Sequence, residues 1–250
     1  MASFTTKERT LVYERVLEIA KSDARVTGGA VVGSIANKKE DALSDIDLTF
    51  GIKNNIRPEH VLHDWTELLN IEFNTIHYFD IRHASAIYRV LLFPNCLELD
   101  LSVVPENDFG AITPNFQLLF GNSNKLIDSP KPDIAYLIGL SWHHVLHANT
   151  AIHRDKPWQA EYWISALRDH IISMKCIRLG LPSLYAKGAD TISKQEMQGL
   201  ESTLIKSLDL SELSIHLNLI STFLISEIQY HDEKLATSLI SIFKKLFKEE

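Results

Sequence analysis

Two short stretches decide the fold expected for this chain: Gly28-Gly29-Ala30-Val31-Val32-Gly33-Ser34 and, ten residues later, Asp45-Ile46-Asp47-Leu48. The first is typical of a buried strand that ends at a glycine. In the second, alternate residues of a strand point to the same face, so Asp45 and Asp47 are expected side by side. Two ionised carboxylates so close together repel each other unless a cation lies between them. Because carboxylate oxygens suit Mg²⁺, this segment predicts a metal site.

A third strand offers more acid in Leu97-Glu98-Leu99-Asp100-Leu101. The same alternation puts Glu98 and Asp100 on one face and the leucines on the other. If this strand lies beside Asp45 and Asp47, a third carboxylate joins the pair. Three carboxylates can hold two Mg²⁺ ions, which clamp an attacking and a leaving oxygen around a phosphorus atom.

Gly33 and Ser34 supply a candidate phosphate site. Glycine lets the backbone approach a ligand closely, and Ser34 is a suitable N-cap for a following helix. Free backbone N–H groups at a helix start bind phosphate well. Lys38 and Lys39 follow a few residues later and can meet the outer phosphates.

Together, the Gly-Ser pair, the Asp-x-Asp pair and the later strand acid resemble the signature of the polymerase-β-like nucleotidyltransferase superfamily. Within it, the chain is most similar to the bacterial aminoglycoside and lincosamide adenylyltransferases. The match covers about residues 26–104, and the helical second half is similar in layout only. Relatives commonly carry an Arg-Gly pair after the Gly-Ser, where this chain has Ile35-Ala36-Asn37-Lys38-Lys39. Lys38 or Lys39 is therefore the candidate substitute.

The resemblance implies a role for each matching residue. Asp45 and Asp47 would bind Mg²⁺, and Asp100 would complete a two-ion site or accept the proton of the acceptor. Glu98, on the same face as Asp100, is another candidate base. Gly33, Ser34, Lys38 and Ser44 would contact ATP. The implied reaction transfers AMP to a hydroxyl of a small molecule, best an aminoglycoside-type antibiotic, and releases pyrophosphate. Such an activity would confer antibiotic resistance. A protein or RNA acceptor remains an alternative, as does a non-catalytic nucleotide-binding or antitoxin-like module.

The pattern of the chain changes near residue 130, at Ser129-Pro130-Lys131-Pro132-Asp133. Residues 1–130 mix strands with helices and predict a mixed-sheet nucleotidyltransferase domain. Residues 131–250 predict an all-α bundle that completes the substrate cleft, so the fold class is α+β. The expected helices of the bundle cover residues 133–154, 158–179, 193–208, 211–230 and 233–248.

The second domain offers further polar candidates. Glu161, Arg168 and Lys175 are spaced by sevens on one predicted helix, so they share a face. One interpretation is a salt-bridged solvent face. The other is a wall of the cleft, where Arg168 or Lys175 touches triphosphate and Glu161 binds a cationic acceptor or acts as base. Lys187, in the loop Tyr185-Ala186-Lys187-Gly188, is another candidate phosphate contact.

Composition narrows the class of protein. The 250 residues carry a net charge of −7, which argues against general nucleic-acid binding and is compatible with a cationic small substrate. Lacking an apolar leader or a long apolar run, and having only two cysteines, the chain is expected to be cytoplasmic and outside the membrane. An apolar side of the late helices leaves homodimerisation open.

Overall fold

The computed structural model describes residues 3–112, 115–125 and 133–247. The chain divides into two compact units, Met1–Pro130 and Lys131–Glu250. Four of the five residues expected at the boundary, 129–132, lie outside the described residues; the fifth, Asp133, caps the first helix of the second unit by accepting a hydrogen bond from the N–H of Tyr136. None of the described helices is both long and apolar enough to cross a membrane.

The first unit alternates helices and strands, as expected from its sequence. Its elements are α1 (Thr6–Ser22), β1 (Val26–Val32), α2 (Gly33–Ala36), β2 (Ile46–Ile52), α3 (Pro58–Phe73), β3 (His77–His83), β4 (Ala86–Leu92), β5 (Glu98–Pro105) and β6 (Phe116–Gly121), with a 3₁₀ turn at Glu106–Asp108. Thr5 and Glu8 form a capping box at the start of α1, which satisfies backbone N–H groups that the helix leaves free.

The strands form one mixed sheet in the order β3-β4-β5-β2-β1-β6. The pairing of β2 with β5 is parallel, and the other pairings are antiparallel. One face of the sheet packs under α1 and α3 in a shared core that includes Val16, Leu48, Trp65 and Leu101. Because side chains alternate along a strand, the neighbours of Leu48 and Leu101 at positions 47 and 100 point to the opposite face.

The second unit is helical, which confirms the α+β class. Its elements are α4 (Ile134–His153), α5 (Pro157–Arg178), α6 (Lys194–Met197), α7 (Leu210–His231) and α8 (Glu233–Leu246), with 3₁₀ turns at Leu184–Ala186, Ala189–Thr191 and Leu200–Thr203. The long helices bury an aliphatic core of their own.

One expected helix is wrong. Residues 193–208 do not form a continuous helix: α6 stops at Met197, and Gly199 has φ +80° before the 3₁₀ turn. A left-handed residue reverses the helical path, and glycine adopts it without the cost that a Cβ would bring.

Candidate active site

The register of two parallel strands brings the predicted acids together. Asp47 of β2 pairs with Asp100 of β5, and both line a cavity of about 330 Å³ on the face of the sheet opposite to α1 and α3. Asp45 directly precedes β2, and Glu98 is the first residue of β5. Ligand oxygens of Asp45, Glu98 and Asp100 lie within 4.8 Å of one another. These three carboxylates surround one small volume at the N-terminal ends of β2 and β5, and Asp47 lies beside it, where it lines the cavity with Asp100.

Asp100 is the electrostatic centre of this group. Burial raises the pKa of Asp100 to about 7, and the negative charges of Asp47, Glu98 and Asp45 act in the same direction. Among the described residues, its buried Oδ1 atom finds no hydrogen-bond partner. A buried, unsatisfied acceptor among like charges is costly, and a divalent cation would supply both the missing partner and the missing charge. The donor set thus fits Mg²⁺, which prefers carboxylate oxygens.

Gly33 allows Asp47 to reach its position. Gly33 has φ +66°, and a Cβ added there would lie 2.0 Å from Oδ2 of Asp47. Glycine is therefore required at position 33 for two reasons: the backbone is left-handed, and the Asp47 carboxylate approaches it closely.

Three other residues were expected to contact phosphate: Ser34, Lys38 and Ser44. Ser34 is the second residue of α2 and not its N-cap, which is Val32; the Ser34 Oγ is buried without a partner in the described part of the chain. The expected N-cap role is therefore wrong, because α2 begins two residues earlier than expected, with Val32 as its N-cap. Lys38 is exposed. Ser44 closes the preceding turn, where its hydroxyl accepts from the N–H of Asp41 and donates to the Asp41 carboxylate.

The second-unit candidates are held by partners within that unit. Arg168 donates to the backbone oxygen and the hydroxyl of Thr203, and burial lowers the pKa of its guanidinium. Lys175 is buried, with its ammonium 3.2 Å from a carboxylate oxygen of Glu227 and 3.6 Å from one of Glu196.

Arg168 is half-buried and Lys175 is buried, so the two do not form the salt-bridged solvent face that was one interpretation. Contact with triphosphate, the other interpretation, would need both side chains to leave their partners. Glu161 accepts a hydrogen bond from the hydroxyl of Ser165, and Lys187 is exposed in its loop.

Three polar residues of the cavity escaped the sequence analysis: Thr49, Tyr88 and Ser102. Thr49 and Ser102 follow Asp47 and Asp100 by two residues, so the alternation of β2 and β5 was sufficient to find them. Tyr88 reaches the cavity only because β4 pairs with β5, with Tyr88 opposite Ser102. No local pattern reveals that pairing.

Comparisons with known proteins find similar solved structures only at low sequence identity. No protein-family model matches the chain, and no curated protein sequence matches it. Solved structures that match include an aminoglycoside 6-adenyltransferase from Bacillus subtilis, with 13% identity and a TM-score of 0.38 over 95% of this chain and 97% of that one. A nucleotidyltransferase-like protein from Exiguobacterium sibiricum matches with 10% identity and a TM-score of 0.40 over 91% of this chain and 78% of that one. At this level of similarity, the site is judged by its own geometry.

Proposed function

We propose that this chain is a Mg²⁺-dependent nucleotidyltransferase that moves AMP from ATP to a hydroxyl of a small molecule. The observation that carries the proposal is the convergence of Asp45, Asp47, Glu98 and Asp100 around a buried oxygen of Asp100 that lacks a partner. An aminoglycoside-type antibiotic is the first acceptor to test, since the net charge of −7 favours cationic ligands.

In this proposal, Asp45, Asp47 and Asp100 hold the metal. A metal held by these carboxylates would supply positive charge to offset the charge that builds up on the phosphoryl oxygens. The cavity beside Asp47 and Asp100 positions the α-phosphate next to the acceptor. The acceptor oxygen forms a bond to the α-phosphorus, the bond from that phosphorus to the bridging oxygen breaks, and pyrophosphate leaves.

Glu98 is the carboxylate placed to receive the proton of the acceptor hydroxyl. It is exposed, lies on the same face as Asp100, and has ligand oxygens in the same cluster. A general base must lie within hydrogen-bond reach of the proton that it takes, and Glu98 is open to an acceptor entering from solvent.

The test is AMP transfer from labelled ATP onto a panel of hydroxyl compounds that includes aminoglycosides, together with calorimetry of Mg-ATP binding. Asp45→Asn and Asp47→Asn should each lower transfer at least 100-fold while the thermal unfolding curve stays close to that of the wild type. Asp64→Asn is the matched control. Asp64 lies on α3, away from the cavity, and the change removes its carboxylate from a surface ion pair with Arg25. Transfer that survives in both cavity variants at the level of the control refutes the assignment.

A further inference from the structure

A row of paired residues runs from the acids to the edge of the sheet. Asp47 pairs with Asp100, Asp100 with Val90 of β4, and Val90 with Phe79 of β3. Residues directly opposite each other in a sheet share a face, so all four side chains rise from the face that carries the cavity. With strands about 4.8 Å apart, Phe79 lies about 10 Å from Asp100 along this row.

Two parallel rows extend the same surface. One joins Ser102, Tyr88 and Ile81, and the other joins Glu98, Leu92 and His77. Next to the acids, these rows form an apolar platform, which consists of Phe79, Ile81, Tyr88, Val90 and Leu92. Phe79 is 51% exposed, Ile81 50% and Leu92 41%. Val90 and Tyr88 of this platform lie one strand away from Asp100 and Ser102, so the platform adjoins the cavity that holds the acids.

On the opposite face of the sheet, the side chains of β3 make contacts with charged residues of β4 and α3. The guanidinium carbon of Arg89 lies 4.3 Å from the centre of the Tyr78 ring, and Asp80 forms a salt bridge with Arg89 at 2.7 Å. Arg82 pairs with Glu59 of α3 at 2.8 Å. Strand β3 is therefore anchored by its helix-facing side, and its outward apolar side chains are not required for that anchoring.

We propose that the apolar platform is the acceptor subsite, and that the acceptor is a small ring compound with both a reactive hydroxyl and an apolar substituent. This inference rests on the proposed function, because the hydroxyl has to reach the carboxylates. The row fixes the distance: the apolar substituent rests on Phe79, about 10 Å from the hydroxyl at Asp100, and Val90 lies between them, about 5 Å from Asp100.

The size and charge of the platform favour this class of ligand. Three side-chain rows about 7 Å apart on two strands about 5 Å apart make a surface roughly 14 by 5 Å before the side chains spread, enough for one ring system. Aromatic side chains bind flat apolar faces by burial and stacking. Of the residues in the three rows, Glu98 is the exposed carboxylate at the border, where a basic group of an amino sugar would lie.

Binding of two probes tests the proposal: phenyl β-D-glucosaminide and methyl β-D-glucosaminide, which differ only in the apolar substituent. With the full chain, the phenyl compound should bind at least 10-fold more tightly by calorimetry. Phe79→Ser should reduce that preference to 2-fold or less. Ile71→Ser, the matched change at an exposed apolar residue of α3 outside the platform, should keep it. Mg-ATP affinity should be the same in all three proteins, because neither residue lies among the acids.

Equal affinity of the wild type for the two probes would overturn the subsite. So would a wild-type dimer, measured by light scattering, that Phe79→Ser converts to a monomer, since the platform would then be a subunit interface. A wild type that prefers the phenyl probe but does not bind Mg-ATP would refute the proposed function and leave the platform as a ligand site.

Discussion

Replacement of Gly33 by alanine tests whether the position of Asp47 matters to the site. The added Cβ would lie 2.0 Å from Oδ2 of Asp47, where ordinary contact begins at 3.4 Å. The carboxylate would have to move by about 1.4 Å, because the backbone at Gly33 has less freedom than the end of a side chain. Misplacement of a reacting group by about 1 Å can cost 100-fold in rate, so we expect AMP transfer to fall by about that factor.

The same substitution also has a cost in stability that must be separated from the contact. A Cβ in the left-handed region costs about 1–2 kcal/mol whatever its surroundings. Gly180 provides the control, because it has φ +69° and nothing lies within 4 Å of an added Cβ. Gly180→Ala should lower the free energy of unfolding by about 1–2 kcal/mol and leave transfer unchanged.

Calorimetric unfolding, Mg²⁺ titration and AMP transfer on the two variants complete the experiment. Gly33→Ala should lose stability at least as much as Gly180→Ala and should also lose Mg²⁺ affinity. If Gly33→Ala binds Mg²⁺ and transfers AMP as well as Gly180→Ala does, the contact with Asp47 has no part in the site, and the reasoning from the glycine is wrong.

Two further predictions concern buried charges of the second unit. Glu227 is fully buried between Lys175 and Arg178, so Glu227→Gln leaves Glu196 as the one carboxylate facing two cations and should lower the free energy of unfolding by about 3 kcal/mol, measured by denaturant titration; a loss below about 1 kcal/mol would contradict a structural role for this network. Burial lowers the pKa of His144 to about 4, and the neighbouring His170 acts in the same direction. The unfolded chain binds this proton near pH 6.5 and the folded chain does not, so stability should fall by about 2 kcal/mol between pH 6.5 and 4. His144→Phe should flatten that part of the profile, and an unchanged slope would show that other groups are responsible.

Much of the first unit follows from local sequence. Strand β1 ends directly before Gly33, as the pattern predicts, and β5 begins within a residue of the expected stretch at Leu97, because buried strands show continuous or alternating apolar side chains. Strands β3 and β6 were not predicted. Their residues are mostly exposed, so neither side of the strand selects for apolar side chains and no period appears in the sequence.

In the second unit, too, local sequence patterns predict some features and not others. Long helices with one buried side were predicted to within a few residues of their ends. The segment around Gly199 was expected to be helical, since spacing does not show that a glycine adopts a left-handed conformation. The spacing of Arg168 and Lys175 showed that they share a helix face but not which partners they meet, and both meet groups distant in sequence.

The candidate site can be predicted from sequence more fully than the apolar platform. The site depends mostly on spacing within a strand, whereas the platform depends on the registers between several strands. Asp45 and Asp47 are neighbours by alternation within one strand, as are Glu98 and Asp100, so each pair can be predicted from a few residues. Joining the pairs needs the lateral register of β2 against β5, and reaching Phe79 needs two more registers across β4 and β3. Each register is set by the core on the other face, where a slip of one residue would bury Asp100 and expose Leu101. The aliphatic residues under α1 and α3 therefore determine where the acids meet and how far the platform lies from them.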